Sequence, residues 1–210
     1  MPRDAAATRD LLLDAGQRLF AASGVFSTPL NQVVAAAGQR NASALHYHFG
    51  GRQGLLNAIL ERQGDEIEQE RRLVLDRIEV TGAAGDLRAL VEAIVHPQAH
   101  KLETSGGREF LAIVPQLNEL FAMWDSDGSP VQARRALRAI ERALPSGLGP
   151  DLAHERVTRF LELVTEALGA RARLLTRGRE TAITNEEFVA NLIDMAVGAL
   201  SAPPGQQVAR

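Results

Sequence analysis

Apolar residues in this chain recur at three- and four-residue spacing from Leu12 to Leu200, and nowhere do four or more residues alternate as a half-buried strand would. That period commits the chain to helices packed on helices. Alanine, leucine, glutamate and arginine, all good helix formers, are abundant throughout. The 210 residues leave room for one domain, or two small ones, around a sizeable core. There is no cysteine, which excludes disulfides, thiolate metal sites and a cysteine nucleophile. No apolar run approaches the roughly 18 residues that span a bilayer, and the N-terminus lacks a signal-peptide core, so a soluble cytoplasmic protein without membrane contact is expected.

Glycine, proline and hydroxyl residues divide the helical pattern. A first helix is expected over 8–23, with Leu12, Ala15, Leu19 and Ala22 as its buried stripe and Gly24 ending it. Ser27-Thr28 then offers a hydroxyl cap and Pro29 a first helical residue, with Leu30, Val33, Val34 and Ala37 inward and Gly38 closing the helix. Asn41 can cap a third helix, 42–49, whose core residues would be Ala42, Leu45 and Phe49. After Gly50-Gly51 a long helix starts at Arg52 and stops near Thr81-Gly82. Further helices are expected at 86–104, 107–123, 130–144, 151–177 and 185–200, the second of them kinked by Pro115. The tail, 201–210, is expected to be disordered.

Two short helices joined by Gly38-Gln39-Arg40 form a helix-turn-helix candidate. At about 100° per residue, Ala42, Leu45 and Phe49 fall on one face of the second helix. Ser43 and Tyr47 then point elsewhere, with Asn41 at the entry and His46 at the border. These are small and hydrogen-bonding groups suited to the base edges of a major groove. Arg40 lies beside that helix. The whole-chain charge of −3 makes no case for nucleic acid, but residues 1–64 hold six arginines against four carboxylates, a net +2, which leaves −5 for the rest.

Thr28-Pro29-Leu30, Val33-Val34-Ala35-Ala36-Ala37-Gly38, Ser43-Ala44-Leu45-His46-Tyr47-His48-Phe49 and Leu55-Leu56, in that order after an amphipathic helix, resemble the TetR (tetracycline repressor) family of bacterial transcription regulators over residues 9–61. Between Gly38 and the His48-Phe49 pair there is one residue more than in the commonest family spacing. The resemblance implies an all-α fold: an N-terminal three-helix helix-turn-helix DNA-binding domain, 1–50, joined by a long helix to a C-terminal helical ligand-binding and dimerisation domain, 51–200. It also implies a homodimeric regulator, with no cofactor and no enzymatic site, that a small, mainly apolar effector releases from a palindromic double-stranded operator. By the same likeness Thr28, Tyr47, His48 and Arg52 would meet phosphates, while Gln39, Arg40, Asn41, Ser43 and His46 would lie toward the bases.

The densest run of large apolar residues is 110–124. It would supply core and, as the family suggests, an effector pocket lined by Phe110, Val114, Leu117, Phe121 and Trp124, with Asn118 or Gln116 as polar anchors. The last two helices carry apolar faces wider than one chain is expected to cover. As in the family, Phe160, Leu161, Val164, Leu168, Phe188, Leu192 and Met195 would pack against a second copy, the alternative being a monomeric core that absorbs them.

Other chemistry finds little support. His96 and His100 stand at metal-ligand spacing, but no cysteine or nearby third histidine accompanies them, so no metal is expected. Ser105-Gly106-Gly107 beside His100 lacks the strand-to-helix elbow of a hydrolase. Two other readings of the whole chain are a ligand-independent architectural DNA-binding protein and a helical enzyme.

Overall fold

The computed structural model describes residues 2–41 and 43–204, with side chains described from residue 5 onward except at 118–122. Ala42 and residues 205–210, expected as core and as tail, lie outside the described residues. Among them the α-helices are α1 (Pro2–Ser23), α2 (Leu30–Ala36), α3 (Ser43–Phe49), α4 (Arg52–Val80), α5 (Leu87–Ala99), α6 (Ser105–Ile113), α7 (Val131–Ala143), α8 (Pro150–Thr176) and α9 (Asn185–Ser201). Short 3₁₀ segments, His100–Glu103 and Val114–Met123, follow α5 and α6. No described helix is long and apolar enough to cross a membrane.

Local chemistry sets most of these boundaries. The Asp86 carboxylate accepts from the Arg88 and Ala89 amides to open α5, and the Thr104 hydroxyl accepts from Gly107 to open α6. Thr184 and Glu187 form a reciprocal capping box on α9, and these hydrogen bonds hold the Glu187 carboxyl below its usual pKa. The helix expected over 107–123 is broken as Pro115 requires. It ends as α-helix at Ile113, and Leu117 leaves helical geometry at φ −113°, ψ 29°.

Two cores result. One gathers Leu12, Leu13, Phe20, Val33, Val34 and Leu45 from α1 to α3 around Leu55, Leu56 and Ile59 of α4, and also takes in Ile113 and Leu117. The other joins the rest of α4 to α5 through α9, with Ile94, Leu111, Leu137, Leu168 and Ile193 at its centre. Leu60 touches both, so the head and body share one continuous helix rather than a linker. The buried stripe of α1 keeps Leu12, Ala15 and half-buried Leu19 but leaves Ala22 exposed. It also takes in Gly16 and Phe20, because α4 closes on the helix at Gly16.

The C-terminal end also differs from expectation. Ser201 completes α9, the Arg156 guanidinium donates to the Leu200 and Ala202 carbonyls, and Pro204 rests near Gly147. Residues 201–204 are therefore ordered by contacts that lie far away in sequence.

Candidate nucleic-acid interface

The α2–α3 unit places the second helix outward on an apolar root. Gly38 takes φ +69°, which turns the chain between the helices at little steric cost. The Asn41 side chain accepts from the Ser43 amide at 2.9 Å, so it caps α3 as its sequence position suggests. Leu45 is buried among Val33, Val34 and Leu55, and half-buried Phe49 packs beneath the Arg9 guanidinium, 5.2 Å from the ring centroid.

The opposite face of α3 is open. Ser43, His46 and Tyr47 are exposed, and Tyr47 reaches 81%, an unusual position for the chain's only tyrosine. His48 is half-buried and meets Tyr47 edge-on, with centroids 5.0 Å apart. Arg40 and Asn41 are exposed at the entry to α3, and half-buried Gln39 donates to the Ala37 carbonyl at 3.4 Å. A phenol, an imidazole, a hydroxyl and a guanidinium thus share one end of the head, the mix of donors and acceptors that base edges and phosphates accept.

Two residues expected at phosphates do other work. Thr28 is 1% exposed, and its hydroxyl donates to the Gly24 carbonyl at 2.7 Å and the Leu19 carbonyl at 3.2 Å. It therefore locks the α1–α2 turn, and Pro29, in extended geometry, precedes α2 without a hydroxyl cap. The Arg52 guanidinium likewise turns inward, donating to the Val25 carbonyl and lying over the Phe20 ring. Both side chains bond within the turn behind the reading helix, a use that sequence spacing does not reveal.

The expected effector residues are divided between the two cores. Phe110 and Trp124 are buried in the body, with Val114 packed half-buried against them, whereas Leu117 belongs to the head. The Trp124 ring stacks on His154 at 5.1 Å, and its buried indole N–H has no acceptor among the described residues. The side chains of Asn118 and Phe121 lie outside the described residues. Gln116 reaches into the head: its carbonyl accepts from the Val25 amide at 2.8 Å.

Most of the expected dimer face is covered within one chain. Phe160, Leu161, Val164, Leu168 and Leu192 are buried in the body core, since α5 and α6 pack onto α8 and α9. Phe188 is half-buried under the Arg171 guanidinium, and of the seven only Met195 is exposed, at 53%. What α8 and α9 leave open is a strip that shares only Phe160 with that set: a groove of about 750 Å³ lined by Leu148, Leu152, Phe160, Leu163 and Ala199. Elsewhere, His100 Nδ1 lies 2.8 Å from the Glu70 carboxylate, and no cluster of three described side chains suits a metal ion.

An outward-facing second helix on a buried root, behind a glycine turn, defines a helix-turn-helix DNA-binding protein. Residues 12–59 match the family model of bacterial regulatory proteins, tetR family. The head described above therefore matches the DNA-binding domain of that family. No curated protein matches the chain. Among solved structures, a probable transcriptional regulatory protein, RHA5900, is similar at a TM-score of 0.51 and 19% identity, covering 93% of this chain and 100% of its own. A TetR-family regulator, SCO0857, from Streptomyces coelicolor A3 aligns at a TM-score of 0.44 and 19% identity, over 93% of this chain and 95% of its own. The first of these likenesses extends the shared fold through the body.

Proposed function

We propose that this chain is a TetR-type regulator, a homodimeric repressor whose two heads bind an inverted-repeat operator, and that a small, mainly apolar effector bound in the body releases it. The observation that carries the reading is the exposed Ser43, His46 and Tyr47 face on a helix anchored by Leu45. Two such faces related by a two-fold axis would match the symmetry of a palindrome. The open apolar strip along Leu152, Leu163 and Ala199 supports pairing through α8 and α9, on their exposed side. Release would follow if the effector prefers a head arrangement that no longer fits both half-sites. A coupling of about 1–3 kcal/mol would then weaken binding roughly 5- to 150-fold.

The electrostatics of the head set the expected salt response. Arg9, Arg18 and Arg40 are its exposed described arginines, while Arg52 is turned inward and Arg62 pairs with Asp14. Each phosphate contact contributes about −0.9 to the slope of log K against log salt, so a dimer should show a slope of about −5 or shallower. Titrating duplex DNA with the protein at several salt concentrations measures it. A slope near −10 would mean that the phosphate contacts come from groups other than these arginines.

A further inference from the structure

Gln17 is a buried polar residue in the middle of α1, 2% exposed, and every hydrogen-bonding site of its amide is used. Nε2 donates to the Gly106 carbonyl and to a Glu109 carboxylate oxygen, both at 3.0 Å. Oε1 accepts from Arg62 at 2.9 Å and from Gln63 at 3.3 Å. The partners fix the orientation of the amide, because a flip would set oxygen against two acceptors and nitrogen against two donors. One side chain thus ties α1 of the head to α6 of the body at the level of α4, where the head and body meet.

Gln116 makes the corresponding connection past the far end of α6. Its carbonyl accepts from the Val25 amide at 2.8 Å, and its Nε2 donates to Ala112 at 2.9 Å and Phe20 at 3.4 Å. Phe20 and Val25 flank the turn that Thr28 and Arg52 lock, and the reading unit starts immediately after it. Between the two glutamines, Ile113 and Leu117 of the α6 region insert into the head core. Among the described residues, these contacts join the packing of α1 on α6 and continuous α4 in holding the head to the body.

We propose that Gln17 and Gln116 are positioning residues, a two-point clamp that fixes the angle of the DNA-reading head on the body. Amides, one buried and one half-buried, suit this task because their partners are directional: a small shift of α6 leaves several polar groups unpaired, which an apolar contact would tolerate. The clamp's link to regulation rests on the operator-binding reading above, but its effect on head orientation does not.

The chain has no cysteine, so nitroxide labels on Ala22→Cys in the head and Arg142→Cys in the body report a single intrachain distance when labelled protein is diluted with unlabelled chain. One narrow distance distribution is expected with both glutamines present, and a broadened or split one in Gln17→Met/Gln116→Met at unchanged helix content. Gln116→Glu keeps the acceptor for Val25 but sets a carboxylate beside two carbonyls. It should broaden the distribution less, and it carries the test if the double variant does not fold. The same narrow distance in a folded clamp variant would overturn the proposal. In a second arm, duplexes selected by the unaltered chain should bind the double variant roughly 5- to 150-fold more weakly. Equal affinity there would also count against the clamp. A chain that selects no duplex at all would instead defeat the operator reading, while the distance arm still decides the clamp.

Discussion

Gly54→Ala should unfold the reading head while leaving the body folded. Gly54 lies in the first turn of α4, pressed against the end of α3, and a Cβ there would sit 1.8 Å from the Phe49 carbonyl oxygen. That obstacle is backbone, so no rotamer change relieves it. Either α3 moves away from α4, which withdraws Leu45 and Phe49 from the head core, or α4 starts later. The expected cost is about 3–5 kcal/mol, in the range of severe core overpacking. Amide exchange should quicken across 12–59 and stay slow in α5 to α9, with DNA binding lost. Gly64→Ala, ten residues further along the same helix, is the control. Nothing lies within 4 Å of its added methyl, so it should be neutral or stabilise by up to about 1 kcal/mol through helix propensity.

The second large effect is expected in the body, at Glu68 on α4. Its carboxylate accepts from the Gln132 amide at 2.7 Å and the Ala133 amide at 3.2 Å, and so caps α7, whose own N-terminus has only Pro130. The same carboxylate pairs with Arg71, a buried guanidinium that also donates to the Ala93 carbonyl at 3.2 Å. Burial lowers the pKa of Arg71, and Glu68 opposes that shift. Glu68→Ala would therefore leave a buried cation poorly compensated and the start of α7 uncapped, for a loss of about 3–5 kcal/mol in urea unfolding. Adding Arg71→Met should recover a large part of that loss, because it removes the stranded charge. A Glu68→Ala protein as stable as the parent would mean that Arg71 finds solvent or Glu70 without strain.

Much of the fold was legible because its boundaries are set locally. Gly24, Gly38 and Pro115 act through the φ or missing N–H that each contributes, and each does so within a few residues of its own position. The exposed face of α3 was legible for a related reason: a seven-residue helix with one buried leucine leaves few choices for the rest. What escaped the sequence depends on partners far along the chain. How far the buried side of α1 extends follows from how α4 and α6 cross it, so Phe20 joins the core and Ala22 does not. Thr28 and Arg52 carry the chemistry of phosphate contacts, but nearby carbonyls take their donors.

The dimer face shows the same limit at larger scale. Helical periodicity marks Val164, Leu168 and Leu192 as apolar but cannot say whether α5 and α6 or a second chain covers them. Gln17 offered no signal either, being a polar residue on a helix that looks amphipathic without it. Its burial is apparent only when Gly106, Glu109, Arg62 and Gln63 converge on one amide.

The central claim is that α3 reads DNA through the face carrying Tyr47. Selection of bound sites from random duplex DNA by the purified protein, run in parallel with Tyr47→Ala, tests it most directly. Because Tyr47 is 81% exposed, the variant keeps its fold, and the comparison isolates contact from stability. The account predicts that the parent chain enriches an inverted repeat and that the variant fails to enrich it. No enrichment by the parent at low salt, or the same repeat recovered equally well by Tyr47→Ala, would contradict it.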